Sequence, residues 1–251
     1  MRTAEDARAL LVCFPPAGAT AMFFLPMAQA IARPIDVISV QYPGRQDRRN
    51  EPCAGSIDEL ADGVVAELLN SHSTRAGCQL PVALFGHGMG ASVAFETATR
   101  LELLGVAPIA VVASGRTAPS RQRPGTTHLA DDDTLIRDLA ALGPGAPLPD
   151  DSLDPVRTPT TALRGDYTAA ETYRWRSDHR LNCYILAMVG DCDPTATVDE
   201  VRSWSEVTRG RFELQVFSGR HFYISSFVST VANTISERVA ALLPCEPCNE
   251  H

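Results

Sequence analysis

Two titratable residues in the second half of the chain have the types and positions of a catalytic acid and base. Asp193 follows the apolar run CYILAMVG, and His221 follows the next strand-like run, FELQVFSG. An acid and then a histidine, each in a loop after a strand, can orient and deprotonate a nucleophile. We therefore expect Asp193 to orient His221 as a general base. The nearby Asp191 is expected to brace or cap the same loop.

The nucleophile that this pair would serve is replaced. In PVALFGHGMGASVAFE, an apolar run passes through GHGMG into a helical pattern. This is the layout of G-x-S-x-G, a sharp turn between a strand and a helix, but Gly88 stands where the serine belongs. Ser92 makes a second, G-x-S-x-A match. Because it lies a helical turn further on, we do not expect its hydroxyl to reach His221.

The same turn also fits a dinucleotide-binding fingerprint. GHGMGA matches G-x-G-x-x-[GA], and Arg116, after the next strand, is placed to meet a 2′-phosphate. Against this interpretation, a full strand–helix unit precedes the turn, and the side chains of His87 and Met89 would crowd a pyrophosphate. The acid and the histidine after later strands are explained only by the nucleophile turn, which we favour.

The elements that must position these residues alternate along the chain. Apolar runs typical of buried parallel strands begin at residues 9, 35, 81, 108, 183 and 212. This alternation predicts an α/β fold with a mostly parallel sheet and helices on both faces. A stretch without strands, residues 116–173, predicts a lid insertion within a single domain of residues 1–251. The helical patterns cover Ala21–Ala32, Ile57–Leu69, Ala91–Leu104 and Phe227–Leu243.

Composition excludes several other classes of protein. The chain has 251 residues, 45% of them hydrophobic, which suits one globular domain. A net charge of −8 without a Lys/Arg-rich run argues against nucleic-acid binding. No apolar stretch is long enough for a membrane span, and the seven scattered cysteines are typical of reduced thiols, so we expect a cytoplasmic protein. The tail holds Cys245, Cys248 and His251 without a fourth ligand, and we expect no metal site.

Several sequence blocks, taken in order, resemble those of the type II thioesterases, the editing thioesterases of polyketide and non-ribosomal peptide synthesis. The resemblance covers nearly the whole chain and implies an α/β-hydrolase fold with a helical lid. It also implies hydrolysis of acyl groups from the phosphopantetheine arm of carrier proteins, with no cofactor bound by the chain itself. The blocks are CFPPAGATAMFF, QYPGRQDRR, FGHGMGASVAFE, SGRTAPSR, LRGDYTAAETY, GDCDP and FSGRHFYI.

The resemblance also assigns roles by position. Asp193 and His221 match the acid and the base, and Gly88 occupies the place of the nucleophile. The N–H groups of Ala17 and Met89 match the oxyanion hole. A glycine suits the strained turn, so we expect the fold to tolerate it.

Two accounts of Gly88 remain open. One is an engineered or recent loss of a nucleophile, which leaves an inactive or slow enzyme whose only route is a water held by His221. The other is a natural variant with an altered role. Such a protein would bind acyl carriers without turnover, or use His221 in a base-promoted step.

A carrier protein is usually acidic near its arm, so docking needs a local basic patch. Two arginine clusters follow strand ends on the side where α/β proteins build their sites. Arg45 and Arg48 belong to the first cluster and Arg116 to the second. We expect them to bind the carrier, although an ordinary solvated surface is the alternative. We expect the chain itself to be a monomer.

Overall fold

A single sheet of parallel strands carries the site. The computed structural model describes residues 7–74, 80–147, 159–176 and 179–244. Within these ranges the sheet has six strands in the order β2-β1-β3-β4-β5-β6, and every neighbouring pair is parallel. The predicted α/β class is therefore confirmed. The strands are β1 (Ala9–Phe14), β2 (Ile35–Ser39), β3 (Val82–His87), β4 (Ala110–Ser114), β5 (Tyr184–Gly190) and β6 (Phe212–Phe217).

Helices connect the strands and cover both faces of the sheet. The predicted helix Ala21–Ala32 is shorter than expected, because Ala21–Phe24 forms a 3-10 turn and only Leu25–Ala30 is α-helical. Pro26 explains the break, since it has no N–H to continue the hydrogen-bond ladder from the preceding turn. The α-helices are α1 (Leu25–Ala30), α2 (Ile57–Thr74), α3 (Met89–Leu103), α4 (Asp132–Ala141), α5 (Pro159–Thr172), α6 (Val198–Arg202), α7 (Tyr223–Ser226) and α8 (Val228–Ala240). None of the helices described is long and apolar enough to cross a membrane.

The core is divided into two layers by the alternation of side chains along each strand. In β1, Val12 and Phe14 join a cluster that includes residues of α2 and α3. Leu11 and Cys13 join the cluster on the opposite face, which includes residues of α1 and α8. The four central strands, β1, β3, β4 and β5, are buried on both faces and are therefore almost continuously apolar. The edge strands β2 and β6 are partly exposed and include polar residues.

The segment between β4 and β5 forms a third, smaller apolar cluster. Its described part contains α4 and α5 and two 3-10 turns. Leu139 of α4 and Leu163 of α5 pack with Phe222, and Ala17 lies against the same cluster. The insertion therefore rests on the loops after β1 and β6, at the edge where the strands end.

Candidate active site

Asp193 and His221 are brought together as the sequence predicts. The loops after β5 and β6 are neighbours because these strands pair in the sheet. Asp193 Oδ2 lies 2.8 Å from His221 Nδ1, and both side chains are buried. Asp191 Oδ1 accepts a hydrogen bond of 2.9 Å from the Gly219 N–H, which ties the two loops together. The structure thus places Asp191 as the loop brace that the sequence suggests.

Thr195 completes the surroundings of the acid and was missed at the level of sequence. Its N–H and its hydroxyl each lie 2.8 Å from Asp193 Oδ1, and the hydroxyl is 3.0 Å from His221 Nδ1. An aspartate that bonds the N–H two residues later forms a recognised type of turn. The segment DPT was therefore a usable signal for this contact.

Hydrogen bonding keeps Asp193 ionised. Burial alone raises the pKa of Asp193, but the hydrogen bond and the charge of His221, together with the bonds from Thr195, hold its pKa below the ordinary value. Because a carboxylate only accepts hydrogen bonds, His221 Nδ1 carries the hydrogen between them. His221 Nε2 is then the basic nitrogen of the ring.

A side chain at position 88 would begin beside that basic nitrogen. Gly88 has φ 54° and ψ −122°, a region that favours glycine, and it caps the N-terminus of α3. A Cβ added to Gly88 would lie 3.2 Å from His221 Nε2 and 3.6 Å from Pro16 Cβ. After a shift of a few tenths of an ångström, a serine hydroxyl there would be within hydrogen-bond range of Nε2.

The residues of the two expected oxyanion donors are close to this position. Ala17 belongs to the loop after β1, next to Pro16, and Met89 is the first residue of α3. The N–H groups in the first turn of a helix have no partner within it, and the helix dipole favours negative charge there. Position 88 therefore lies next to both residues that are expected to form the oxyanion hole.

A second histidine lies behind the first and is held neutral. The His87 ring is 4.8 Å from the His221 ring, and its Nδ1 is 2.9 Å from Ser114 Oγ, which lies 2.6 Å from the Tyr223 hydroxyl. Burial, and then the charge of His221, lower the pKa of His87 well below its ordinary value. A Cβ on Gly115 would come within 2.8 Å of the His87 ring, so the glycine after β4 gives this histidine room.

The expected basic docking patch is not present in the form predicted. Arg45 is buried and makes two hydrogen bonds of 2.7 Å to Asp166, so the prediction of an exposed docking side chain is wrong for Arg45. Arg48 is half-exposed and forms an ion pair of 2.6 Å with Glu51. The sequence could not reveal the Arg45–Asp166 pair, because Asp166 lies in the insertion, 121 positions after Arg45.

Arg116 also faces inward, between α3 and α5. Its Nε donates to Ser92 Oγ at 3.2 Å, and its second terminal nitrogen donates to the Ala170 carbonyl at 2.9 Å. Burial lowers the pKa of Arg116 to about 10. Ser92 is buried and engaged by Arg116, in keeping with the expectation that it does not serve as the nucleophile.

Four cysteines lie within the described residues, and the thiol of Cys192 bonds the loop brace Asp191. Cys13, Cys53, Cys183 and Cys192 are free thiols. Cys13 lies inside β1, where burial raises its pKa, and Cys192 is exposed beside Asp191. The tail with Cys245, Cys248 and His251 falls outside the described residues.

Comparison with known proteins gives consistent matches. The family model for a thioesterase domain matches residues 9–239. The chain is 42% identical over 236 residues to the probable cadicidin biosynthesis thioesterase of Streptomyces griseus, covering 93% of this chain and 63% of that protein. It is 41% identical over 240 residues to thioesterase PikA5 of Streptomyces venezuelae, covering 94% of this chain and 83% of that protein.

Solved structures show the same relationship. The type II thioesterase BorB from the borrelidin biosynthetic cluster superposes with a TM-score of 0.83 at 43% identity, covering 95% of this chain and 96% of that one. RedJ, a thioesterase from the prodiginine pathway of Streptomyces coelicolor, gives a TM-score of 0.80 at 30% identity, covering 96% and 92%.

Proposed function

Because the chain belongs to the thioesterase family, we propose that it acts on acyl groups bound as thioesters to the phosphopantetheine arm of carrier proteins. Similar structures that are type II thioesterases, one of them from a combined non-ribosomal peptide and polyketide pathway, support a place in polyketide or non-ribosomal peptide synthesis. The observation that carries the proposal is the geometry of the Asp193–His221 pair, whose basic nitrogen would lie 3.2 Å from a Cβ added at residue 88.

With a serine at position 88, this geometry supports a two-step hydrolysis. His221 Nε2 takes the proton of the hydroxyl as its oxygen attacks the thioester carbon. The carbon–sulfur bond then breaks, and His221 returns the proton to the leaving thiol. Water, deprotonated by the same nitrogen, then attacks the acyl carbon. The bond to the serine oxygen breaks, His221 returns the proton to that oxygen, and the acyl group leaves as a carboxylic acid. The N–H groups of Ala17 and Met89 stabilise the negative oxygen in both steps.

With Gly88, the covalent route is closed. Only a water deprotonated by His221 would attack the thioester, and the reaction would then depend on the oxyanion donors and on substrate binding. In other triad enzymes, loss of the serine lowers kcat by roughly 10⁶-fold. We therefore propose that the unmodified chain turns over slowly or not at all.

A second function, binding of acylated carriers without hydrolysis, is favoured by one observation. The acid, the base and the glycine-compatible turn keep their mutual geometry although the nucleophile is missing. A protein with this site would hold an acyl-phosphopantetheine arm with its thioester intact.

The decisive experiment compares Gly88→Ser with Gly88→Ala and the unmodified chain on acyl-phosphopantetheine and acyl-carrier substrates. The alanine variant is the matched control, since it adds the same Cβ without the hydroxyl. We expect hydrolysis by the serine variant to exceed that of the other two by at least about 10³-fold. Equal turnover by all three would show that residue 88 is not the nucleophile position. Binding of acyl carrier without turnover in all three would favour the second function.

A further inference from the structure

We propose that Asp166, in α5 of the insertion, is a positioning residue that fixes the oxyanion turn, which we define as residues 16–19. The proposal rests on the proposed function, because it assigns Asp166 to the hole that would stabilise the thioester oxygen. It makes the insertion a structural part of the catalytic machinery rather than only a cover over the substrate.

Asp166 is a buried carboxylate with three short hydrogen bonds. Its Oδ2 accepts from the Gly18 N–H at 2.7 Å and from Arg45 Nη1 at 2.7 Å. Its Oδ1 accepts from Arg45 Nη2 at 2.7 Å. Bonds between charged partners are shorter and stronger than neutral ones, and the forked geometry fixes the plane of the carboxylate. Asp166 therefore holds the Gly18 N–H in a defined direction.

The bonded N–H belongs to the peptide that determines the type of turn. The Ala19 N–H donates to the Pro16 carbonyl at 3.1 Å, which closes a four-residue turn. Gly18, its third residue, has φ 76°, as in a type II turn. Types I and II differ by rotation of the central peptide, here between Ala17 and Gly18. Asp166 accepts from the N–H of that peptide and so stabilises the observed type.

The remaining contacts fix both ends of the turn from the main domain. Arg45 Nη1 also donates to the Ala19 carbonyl at 3.1 Å, and its guanidinium lies 5.5 Å from the centre of the Tyr42 ring. The Tyr42 hydroxyl donates to the Pro15 carbonyl at 3.3 Å. With both ends held, the central peptide depends on the contact with Asp166 for its orientation. The oxyanion donor, the Ala17 N–H, belongs to the preceding peptide and is held through the Ala17 Cα that the two peptides share.

Packing places the same turn directly against α5. A Cβ on Gly18 would lie 2.8 Å from a methyl group of Leu163, one turn before Asp166 in the same helix. Ala17 packs with the apolar cluster that α4 and α5 form with Phe222. The helix that supplies the carboxylate therefore also supplies the surface on which the turn rests.

The test uses paired substitutions, since removing Asp166 alone would leave Arg45 buried and unpaired. Arg45→Met with Asp166→Asn removes both charges but keeps a side-chain oxygen for the Gly18 N–H. Arg45→Met with Asp166→Leu removes that oxygen as well. Both pairs are made in the Gly88→Ser background and in the unmodified chain. Asp132→Asn, which alters an exposed ion pair with Arg164 elsewhere in the insertion, is the control.

In the serine background, we expect kcat of the leucine pair to fall at least about 10-fold below that of the asparagine pair, with KM within about threefold. Full loss of an oxyanion donor lowers kcat by about 10²–10³, which sets the upper limit. The control should keep its kcat. Equal kcat for the two pairs would overturn the proposal, whether both are active or both are impaired, because the bond to Gly18 would then have no separate effect.

Amide hydrogen exchange at Gly18 in the unmodified chain supplies a readout that does not depend on turnover. We expect exchange at least about 10-fold faster in the leucine pair than in the asparagine pair, since only the former lacks an acceptor. Equal exchange rates would overturn the proposal. If the Gly88→Ser variant hydrolyses no thioester, the proposed function fails, while this comparison still decides the role of Asp166.

Discussion

At the scale of the residue, the ionised Asp193 determines which nitrogen of His221 is basic. In the Gly88→Ser background, Asp193→Asn should lower kcat by about 10³–10⁴, because the amide can donate to Nδ1 and stabilise the wrong tautomer. KM should change little, since Asp193 bonds the histidine and not the substrate. Steady-state hydrolysis of an acyl-phosphopantetheine measures both constants.

Asp199→Asn is the matched control for this substitution. Asp199 is an exposed residue in the first turn of α6, close to Asp193 along the chain but outside the hydrogen bonds of His221. The Asp199→Asn substitution should leave kcat unchanged. A kcat for Asp193→Asn within about tenfold of the parent would contradict the assigned role of the acid.

Single residues differ in how far the sequence reveals them. The pairing of Asp193 with His221 follows from their order after successive strands, because the ends of paired parallel strands meet at one edge. The burial of Arg45 does not follow, since its partner Asp166 is separated from it by 121 positions and lies in a segment without strand periodicity. The hydrogen-bonded chain from His87 through Ser114 to Tyr223 is not apparent from the sequence either. Tyr223 lies 109 positions beyond Ser114.

At the scale of the element, close backbone contact fixes α3 over the ends of β1 and β3. A Cβ on Gly90 would lie 2.0 Å from the Phe14 carbonyl oxygen, and one on Gly86 would lie 2.1 Å from the Gly90 carbonyl oxygen. These contacts involve backbone atoms, which have little freedom to move aside. The glycines flanking position 88 therefore allow the helix to start where it does.

We expect Gly90→Ala to lower the free energy of unfolding by more than about 4 kcal/mol, or to prevent folding. Gly63→Ala is the matched control, because Gly63 is exposed in α2 and an added Cβ would meet nothing within 4 Å. It should raise the free energy of unfolding by about 0.5–1 kcal/mol. Urea denaturation measures both variants. A loss below about 1 kcal/mol for Gly90→Ala would show that the two backbones separate easily.

The elements themselves were largely predictable. The strands begin at or within a few residues of the predicted runs, and the prediction is clearest for the four central strands, because strands buried on both faces are apolar throughout. The break in the predicted helix Ala21–Ala32 was not predictable from its pattern. The apolar pattern continues through Pro26, whereas the helical hydrogen bonds are interrupted there. The insertion gave short helical patterns but no indication that α5 would contribute a carboxylate to the turn after β1.

At the scale of the whole molecule, the parallel sheet gathers the site from widely separated loops. Ala17, Gly88, Asp193 and His221 follow β1, β3, β5 and β6, and all of these strands end at the same edge. His87, the last residue of β3, is buried beneath the same edge. His87 bonds Ser114 through Nδ1, and its ring lies against the rings of His221, Phe23 and Phe222.

Buried neutral His87 should make the whole fold sensitive to acid. Its pKa is lowered in the folded state, so its contribution to stability is fully present above the ordinary histidine pKa of about 6.5 and is lost as the pH falls. The lowered pKa of Asp193 acts in the same direction at lower pH. We therefore expect the free energy of unfolding to be steady from about pH 7 to 8 and to decrease below about pH 6.5.

His87→Gln isolates the part of this dependence that belongs to one residue, since glutamine keeps a polar side chain without a titrating group. The free energy of unfolding, measured by urea denaturation from pH 8 to pH 5, should fall less steeply in the variant. The difference between the two slopes should approach about 1.4 kcal/mol per pH unit below pH 6, the value for one proton. Parallel curves would mean that His87 binds a proton equally in the folded and unfolded states, which its burial beside His221 argues against.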